Sequence, residues 1–337
     1  MKRITSLTAL LIFTIILLTA CGGNSNTAEA TETSGTITVY TALEHELVDE
    51  FLAAFNAEYP DITVNIVRDS TGVITARLIA ESSNPQADLV WGTAASSMMI
   101  LDEMGLLEPY APVGIERIHP MFKSDRDIPA WVGITAWETA FIVNIPELER
   151  LGLSVDDIRC YDDLLRSELA GHIIMPHPAS SGTGFLTVTG LLQLNNRDTD
   201  GGWAFLDRLH ENIDRYVHSG SQPARMAASG ETVIGISFGY AGTRELLRGA
   251  PIAVILPEAG SGWDMEANAL IHRDDIHPAA RTFLNWAISE NAMRLYAEHY
   301  EIIATGGGTA QLIENDFAWI AQNRDTILDT WTTRFGH

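Results

Sequence analysis

In residues 36–104 short strand-like runs alternate with helical periods, and this alternation narrows the folds open to the chain more than any other feature. Residues 36–41 (TITVYT) read as a strand, and residues 44–59 set Leu47, Val48, Phe51, Leu52 and Phe55 at helical spacing until Pro60 stops them. Residues 62–67 make a second strand, residues 70–81 a second helix, residues 87–91 a third strand and residues 93–104 a third helix closed by Gly105. Such an order implies a parallel, doubly wound sheet. Ligands of these sheets sit beyond the carboxyl ends of the strands, which here are residues 40–44, 69–72 and 91–95.

The chain is too long for one core to absorb comfortably, because single cores stop growing at about 250–300 residues, and its pattern repeats the alternation. Short strands at 131–134 and 139–144 read as an extended pair that passes from one lobe to another near Trp137. A helix through 161–167, a strand at 172–175, helices from 185 and at 201–212, a strand at 213–217, a short helix at 221–229 and an apolar strand at 233–238 follow. Residues 239–242 (GYAG) are expected to turn the chain back. Strands at 251–256 and 263–271 and helices at 278–289, 291–299 and 309–332 complete the chain. The expected organisation is residues 36–137 for the first lobe, 138–242 for the second, 243–290 for the returning part of the first and 291–337 for C-terminal helices.

Residues 175–184 (MPHPASSGTG) join an apolar run to an apolar-periodic one. A strand, a hydroxyl-rich turn and a helix would gather free backbone N–H groups with the hydroxyls of Ser180, Ser181 and Thr183 around Gly182, which makes an anion site. The same residues would also serve as a plain N-cap and turn. The anion reading gains from a second stretch of like character, Ser70, Thr71 and Gly72.

Lys2 and Arg3, the apolar run 7–18 and the Leu-Thr-Ala-Cys ending at Cys21 suit a secretory signal over residues 1–20, since a spanning helix needs about 20 apolar residues. Residues 21–35, Thr- and Glu-rich without periodicity, read as a flexible tether. With Cys21 at the signal's end, Cys160 has no disulfide partner. Removing the signal leaves 19 basic against 44 acidic residues, a net charge of −25. So acidic a surface argues against nucleic acid and anionic lipid as partners, and it predicts an anion site built from N–H groups and hydroxyls without an Arg clamp. A hydrophobic fraction of 46% with mean hydropathy near zero describes a globular protein, not a membrane transporter.

Several longer words carry a resemblance: VYTALE (39–44), VRDSTG (67–72), ADLVWG (87–92), MPHPASSGTGFLTV (175–188), LHENI (209–213), HSGSQPA (218–224), IGISFGY (234–240) and GSGWDMEANAL (260–270). Over residues 36–308 the chain resembles an extracellular solute-binding protein of an ABC importer, in the ferric-binding-like branch and closest to the 2-aminoethylphosphonate-binding proteins. Cys21 likewise resembles the lipobox cysteine of bacterial lipoproteins, which is acylated. The resemblance implies an α/β, type II periplasmic-binding fold: two lobes, each a doubly wound mixed sheet flanked by helices, with the ligand in the cleft between them. It implies an exported monomer, lipid-anchored at Cys21, that captures a small phosphonate and delivers it to a permease and its ATPase, with no enzymatic activity, cofactor or metal.

On that reading Ser70, Thr71, Gly72, Ser180, Ser181, Gly182 and Thr183 hold the phosphonate. Glu44 and one of Asp264 and Glu266, which alternation puts on one face of a strand, take the ammonium. Tyr40, Trp91, Trp137 and Tyr240 supply walls or cation–π faces. Glu138 lies near the crossing without an assigned direction. A ferric-ion binder of the same branch holds its metal with adjacent tyrosines, where this chain has Phe238-Gly239-Tyr240 and one tyrosine only. Thiamine, phosphoglycerate and polyamines are further ligands for the scaffold. No Lys-ended phosphate loop or His-Glu-x-x-His helix is present.

Overall fold

The computed structural model describes residues 33–195, 199–306 and 312–336. The secretory signal, the acylation at Cys21, the tether up to residue 32 and the first residues of the helix expected from 309 lie outside the described residues.

The first lobe opens as its periodicity predicts, with β1 (Gly35–Thr41), α1 (His45–Glu58), β2 (Ile62–Arg68), α2 (Thr71–Ala80), β3 (Leu89–Ala94), α3 (Ala95–Glu103) and the short β4 (Leu107–Glu108). β1 lies between β2 and β3, parallel to both. α1 buries Leu47, Val48, Phe51 and Phe55 against the sheet, worth about 1.5–3 kcal/mol of transfer free energy for each such side chain.

One strand then leaves this lobe for the other. β5 (Val132–Asn144) runs for 13 residues, all buried except Glu138. Up to Glu138 it pairs antiparallel with β10, and from Thr139 onward it pairs with β8. The sequence suggested two strands because polar Thr135, Glu138 and Thr139 interrupt the apolar pattern. Their environment supplies partners instead: Thr135 donates to Glu266, and the hydroxyls of Thr139 and Thr187 lie 3.3 Å apart.

The second lobe contains α4 (Ile145–Arg150), β6 (Ile173–Pro176), α5 (Gly182–Leu194), α6 (Thr199–His210), β7 (Ile213–Val217), α7 (Gln222–Ser229), β8 (Ile234–Phe238), α8 (Gly239–Leu247) and β9 (Ile252–Ile255). Its sheet has the order β5-β8-β6-β7. Residues 239–242 are not the return turn; they open α8, and β9 still pairs with residues 141–144 of β5. The chain therefore comes back between residues 256 and 262. Gly239 and Gly242 serve packing here, since a Cβ on Gly242 would lie 2.3 Å from Ile142 and one on Gly239 2.2 Å from the Glu138 carboxylate.

The return consists of β10 (Trp263–Ile271), which sits between β3 and β5, followed by α9 (Pro278–Ala287), α10 (Glu290–Ala297), the short β11 (Ile302–Ile303) and α11 (Phe317–Phe335). The closing helices divide: Met293 and Tyr296 of α10 join the first core, whereas Ile320, Ile327 and Trp331 of α11 join the second. The result is a two-lobed α/β molecule in which two mixed sheets share one strand.

Two residues expected to wall the ligand belong to the core. Trp91 has no exposed surface, packs edge-on against Phe51 and Phe283, and donates its indole N–H to the Tyr296 hydroxyl at 3.3 Å. Tyr40 is equally buried, with its hydroxyl 2.9 Å from Glu81 and the Arg77 guanidinium 4.7 Å above its ring. Both lie inside strands of a sheet covered by helices on both faces, so their side chains point at helices and not past the strand tips. Trp91→Ala should lower the unfolding free energy by about 3–5 kcal/mol in urea titrations; a loss under about 1 kcal/mol would remove this ring from the core.

Candidate ligand-binding cleft

Three chain segments end at one cavity between the lobes. From the first lobe, β2 delivers Arg68 and the turn into α2 delivers Ser70 and Thr71. Ser70 occupies the N-cap position in extended conformation but makes no side-chain cap bond, so its hydroxyl is not consumed by the helix. From the second lobe, the turn after β6 delivers Ser181, Gly182 and Thr183 at the start of α5. The third segment was not foreseen: Ser219 and Gly220, just before α7, line the same cavity. The aligned peptide dipoles of a helix leave a partial positive charge and unbonded N–H groups at its N-terminus.

The rest of the lining is acidic and aromatic: Glu44, Glu266, Trp137, Phe238 and Tyr300. Trp137 is 8% exposed and packs with Ala94, Leu186 and Phe238, so it is core on one side and wall on the other. The Glu266 carboxylate accepts from the Thr135 hydroxyl at 2.6 Å and from the Tyr300 hydroxyl at 3.0 Å. Burial pushes its carboxyl up to about 8. Tyr300 is raised well above the usual tyrosine value by burial and then by Glu266, so its proton stays on. Glu138, at the strand crossing, is pushed up to about 7 by burial and by the negative charge of Glu301.

Four further expectations are corrected here. Gly72 does not present its N–H to the cavity, because that N–H donates to the carbonyl of Ser180 at 3.0 Å. Ser180 is likewise no lining residue; its hydroxyl faces the carbonyls of His177 and His218, 3.3 and 3.0 Å away. Asp264 is buried against α3, accepting from the Ser96 hydroxyl at 2.6 Å and from the backbone N–H of Met265 at 2.7 Å. Strand alternation carries no information that α3 starts over Asp264. Tyr240 stacks on Tyr300 at 5.4 Å and stands one layer behind it.

The largest departure is Arg68. Its Nε donates to the carbonyl of Leu43 at 3.0 Å, and its terminal nitrogen lies 3.5 Å from Glu44. Net charge is a sum over the whole surface and does not exclude one well-placed guanidinium, so the expectation of a cleft without Arg fails. The word VRDSTG contained the signal, a basic residue at the tip of a strand. Ser219 and Gly220 were also readable, as small residues before a helix that starts with Pro223 in its first turn.

The lobes touch along one edge of the cleft. The Gly72-to-Ser180 backbone bond is joined by a contact of 2.9 Å between His218 Nε2 and Asp69 Oδ1. A Cβ on Gly72 would lie 2.1 Å from the carbonyl oxygen of Ala179, closer than any side chain tolerates. Among the described residues one group could chelate a metal, Glu50, Glu298 and His299, and none of the three lines the cleft.

Residues 41–294 match the family model of bacterial extracellular solute-binding proteins, and the chain belongs to that family. It is similar to a protein of Haemophilus influenzae without assigned function, at 29% identity over 77% of this chain and 75% of that one. It is also similar to the probable ABC transporter periplasmic-binding protein y4fP of Sinorhizobium fredii, at 26% identity over 70% of this chain and 65% of the relative. Among solved structures it matches the periplasmic binding protein AfuA of Actinobacillus pleuropneumoniae, bound to exogenous fructose-6-phosphate, with a TM-score of 0.81 and 26% identity over 89% of this chain and 99% of that one. The ferric binding protein of Campylobacter jejuni shares the fold, with a TM-score of 0.72 at 18% identity over 89% of this chain and 99% of that one.

Gly72→Ala should prevent the lobes from meeting while leaving each lobe folded. A titration should then show solute affinity down by about tenfold or more, because the contacts of one lobe are lost, with an unchanged circular-dichroism spectrum. Undiminished affinity would mean that this edge does not form in the bound state.

Proposed function

We propose that this chain is the solute-capturing component of an ABC importer and that its solute is a small amine-bearing phosphonate, for which 2-aminoethylphosphonate is the best-fitting member. One observation carries the reading: the segments opening α2, α5 and α7 converge on a cavity that two carboxyl groups, Glu44 and Glu266, also line. A tetrahedral anion fits the first half, where Ser70, Thr71, Ser181, Gly182, Thr183, Ser219 and Gly220 offer uncharged donors and Arg68 one full charge. An ammonium fits the second, at Glu44 and Glu266, with Trp137, Phe238 and Tyr300 along a short carbon stem.

Chemistry disfavours iron, because helix N-termini repel a trivalent cation and Tyr300 keeps its proton on Glu266. The donors come from both lobes, so the full set of contacts forms only on closure, and the closed form is the one a permease would recognise. The basic and apolar start of the sequence and Cys21 support export and a lipid anchor, with a permease and its ATPase as partners of a monomer.

Calorimetric titration of the mature protein with 2-aminoethylphosphonate, orthophosphate, fructose 6-phosphate, ferric citrate and thiamine tests the assignment, and the aminophosphonate should bind tightest. Thr183→Ala and Ser181→Ala should each weaken it by roughly 5–10-fold, the cost of a hydrogen bond of about 1 kcal/mol. Arg68→Gln should cost more, about 10–100-fold, since its bond is charge-assisted. Unaltered affinity in all three would sink the proposed anion half.

A further inference from the structure

We propose that Glu266 is the group that distinguishes an aminoalkyl phosphonate from a plain alkyl phosphonate, and that it gives up a proton to solvent when the ligand's ammonium settles beside it. The inference rests on the phosphonate reading above and adds to it a residue, a basis for selectivity and a proton count.

The two acids of the cleft are not equivalent. Glu44 already has the Arg68 guanidinium 3.5 Å away. Glu266 meets only neutral donors, the hydroxyls of Thr135 at 2.6 Å and Tyr300 at 3.0 Å, and among the described residues no Lys, Arg or His pairs with it. Among the charged groups, Glu44 is the one whose field reaches it, and that field raises its carboxyl further. Glu44 faces it from the segment before α1, Tyr296 from α10, and Tyr300, with Tyr240 stacked behind it, from the loop after α10; Asp264, two residues back on the same strand, is turned to Ser96. A bare carboxylate walled in by phenols and another acid is costly, and burial accordingly holds its carboxyl near 8. At neutral pH most of the ligand-free protein then carries Glu266 as the neutral acid.

An arriving ammonium supplies the counter-charge. The Glu266 O–H bond breaks, its proton goes to buffer, the carboxylate pairs with the ammonium, and the ligand's N–H bonds stay intact. A phosphonate without the amine has nothing to exchange, so Glu266 keeps its proton and the pair does not form.

The test compares wild type with Glu266→Gln, titrating each with 2-aminoethylphosphonate and with ethylphosphonate between pH 6 and 9 in buffers of different ionisation enthalpy. Using one ligand on two proteins cancels the titration of the phosphonate itself. For the aminophosphonate, the affinity ratio of wild type to variant should rise about tenfold per pH unit from pH 6 and level off just above 8. At pH 7 the wild type should release about one more proton per ligand than the variant. Between pH 6 and 7, where Glu266 is neutral, ethylphosphonate should bind both proteins alike, which also shows the variant to be folded. A ratio that stays flat with pH, or equal affinity of both proteins for the aminophosphonate, overturns the role of Glu266 and leaves the phosphonate reading standing. Failure of both phosphonates to bind wild type overturns that reading and this inference together.

Discussion

Everything in this molecule is referred to the one strand that both sheets share. β5 enters as a partner of β10 and leaves as a partner of β8, changing sheets between Glu138 and Thr139 without a break. Because its backbone hydrogen bonds are satisfied on both sides of the change, the two sheets are held in register with each other by main-chain bonding and not by side-chain packing alone. The strand tips that carry Arg68, the turn before α5 and the turn before α7 all face the gap beside this crossing. Trp137, the last residue but one before the change, lines that gap.

Local electrostatics in the cleft run against the global balance. The chain is strongly acidic, yet its cavity collects helix N-termini and a guanidinium beside Glu44 and Glu266, and burial pushes the Glu266 carboxyl up to about 8. Fields of both signs therefore act at short range inside the cleft, where solvent screening is weak.

Much of this was legible in the sequence, and the exceptions have physical reasons. The strands and helices of the first lobe follow from periodicity because each element has one apolar face. Ser70, Thr71, Ser181 and Thr183, which line the cavity, stand out in the sequence because hydroxyl-rich turns before helices are a local signal. Trp91 and Tyr40 misled because residue type says nothing of which covered face of a sheet a side chain joins. Asp264 misled because its partner, Ser96, is remote in sequence and meets it only in the fold. Arg68 was masked by a charge argument that averages over the surface. The late return was masked because GYAG, which reads as a turn, is used as the tightly packed start of a helix.

The lobes are fastened at one edge by a bond from the amide of Gly72 to the carbonyl of Ser180. Neither atom belongs to a side chain. Substitutions among the lining residues can therefore alter what is captured without redrafting the fastening, provided position 72 stays glycine. A clasp written in the main chain lets one scaffold change its cargo over evolutionary time and still present the same shut outline to the transporter that unloads it.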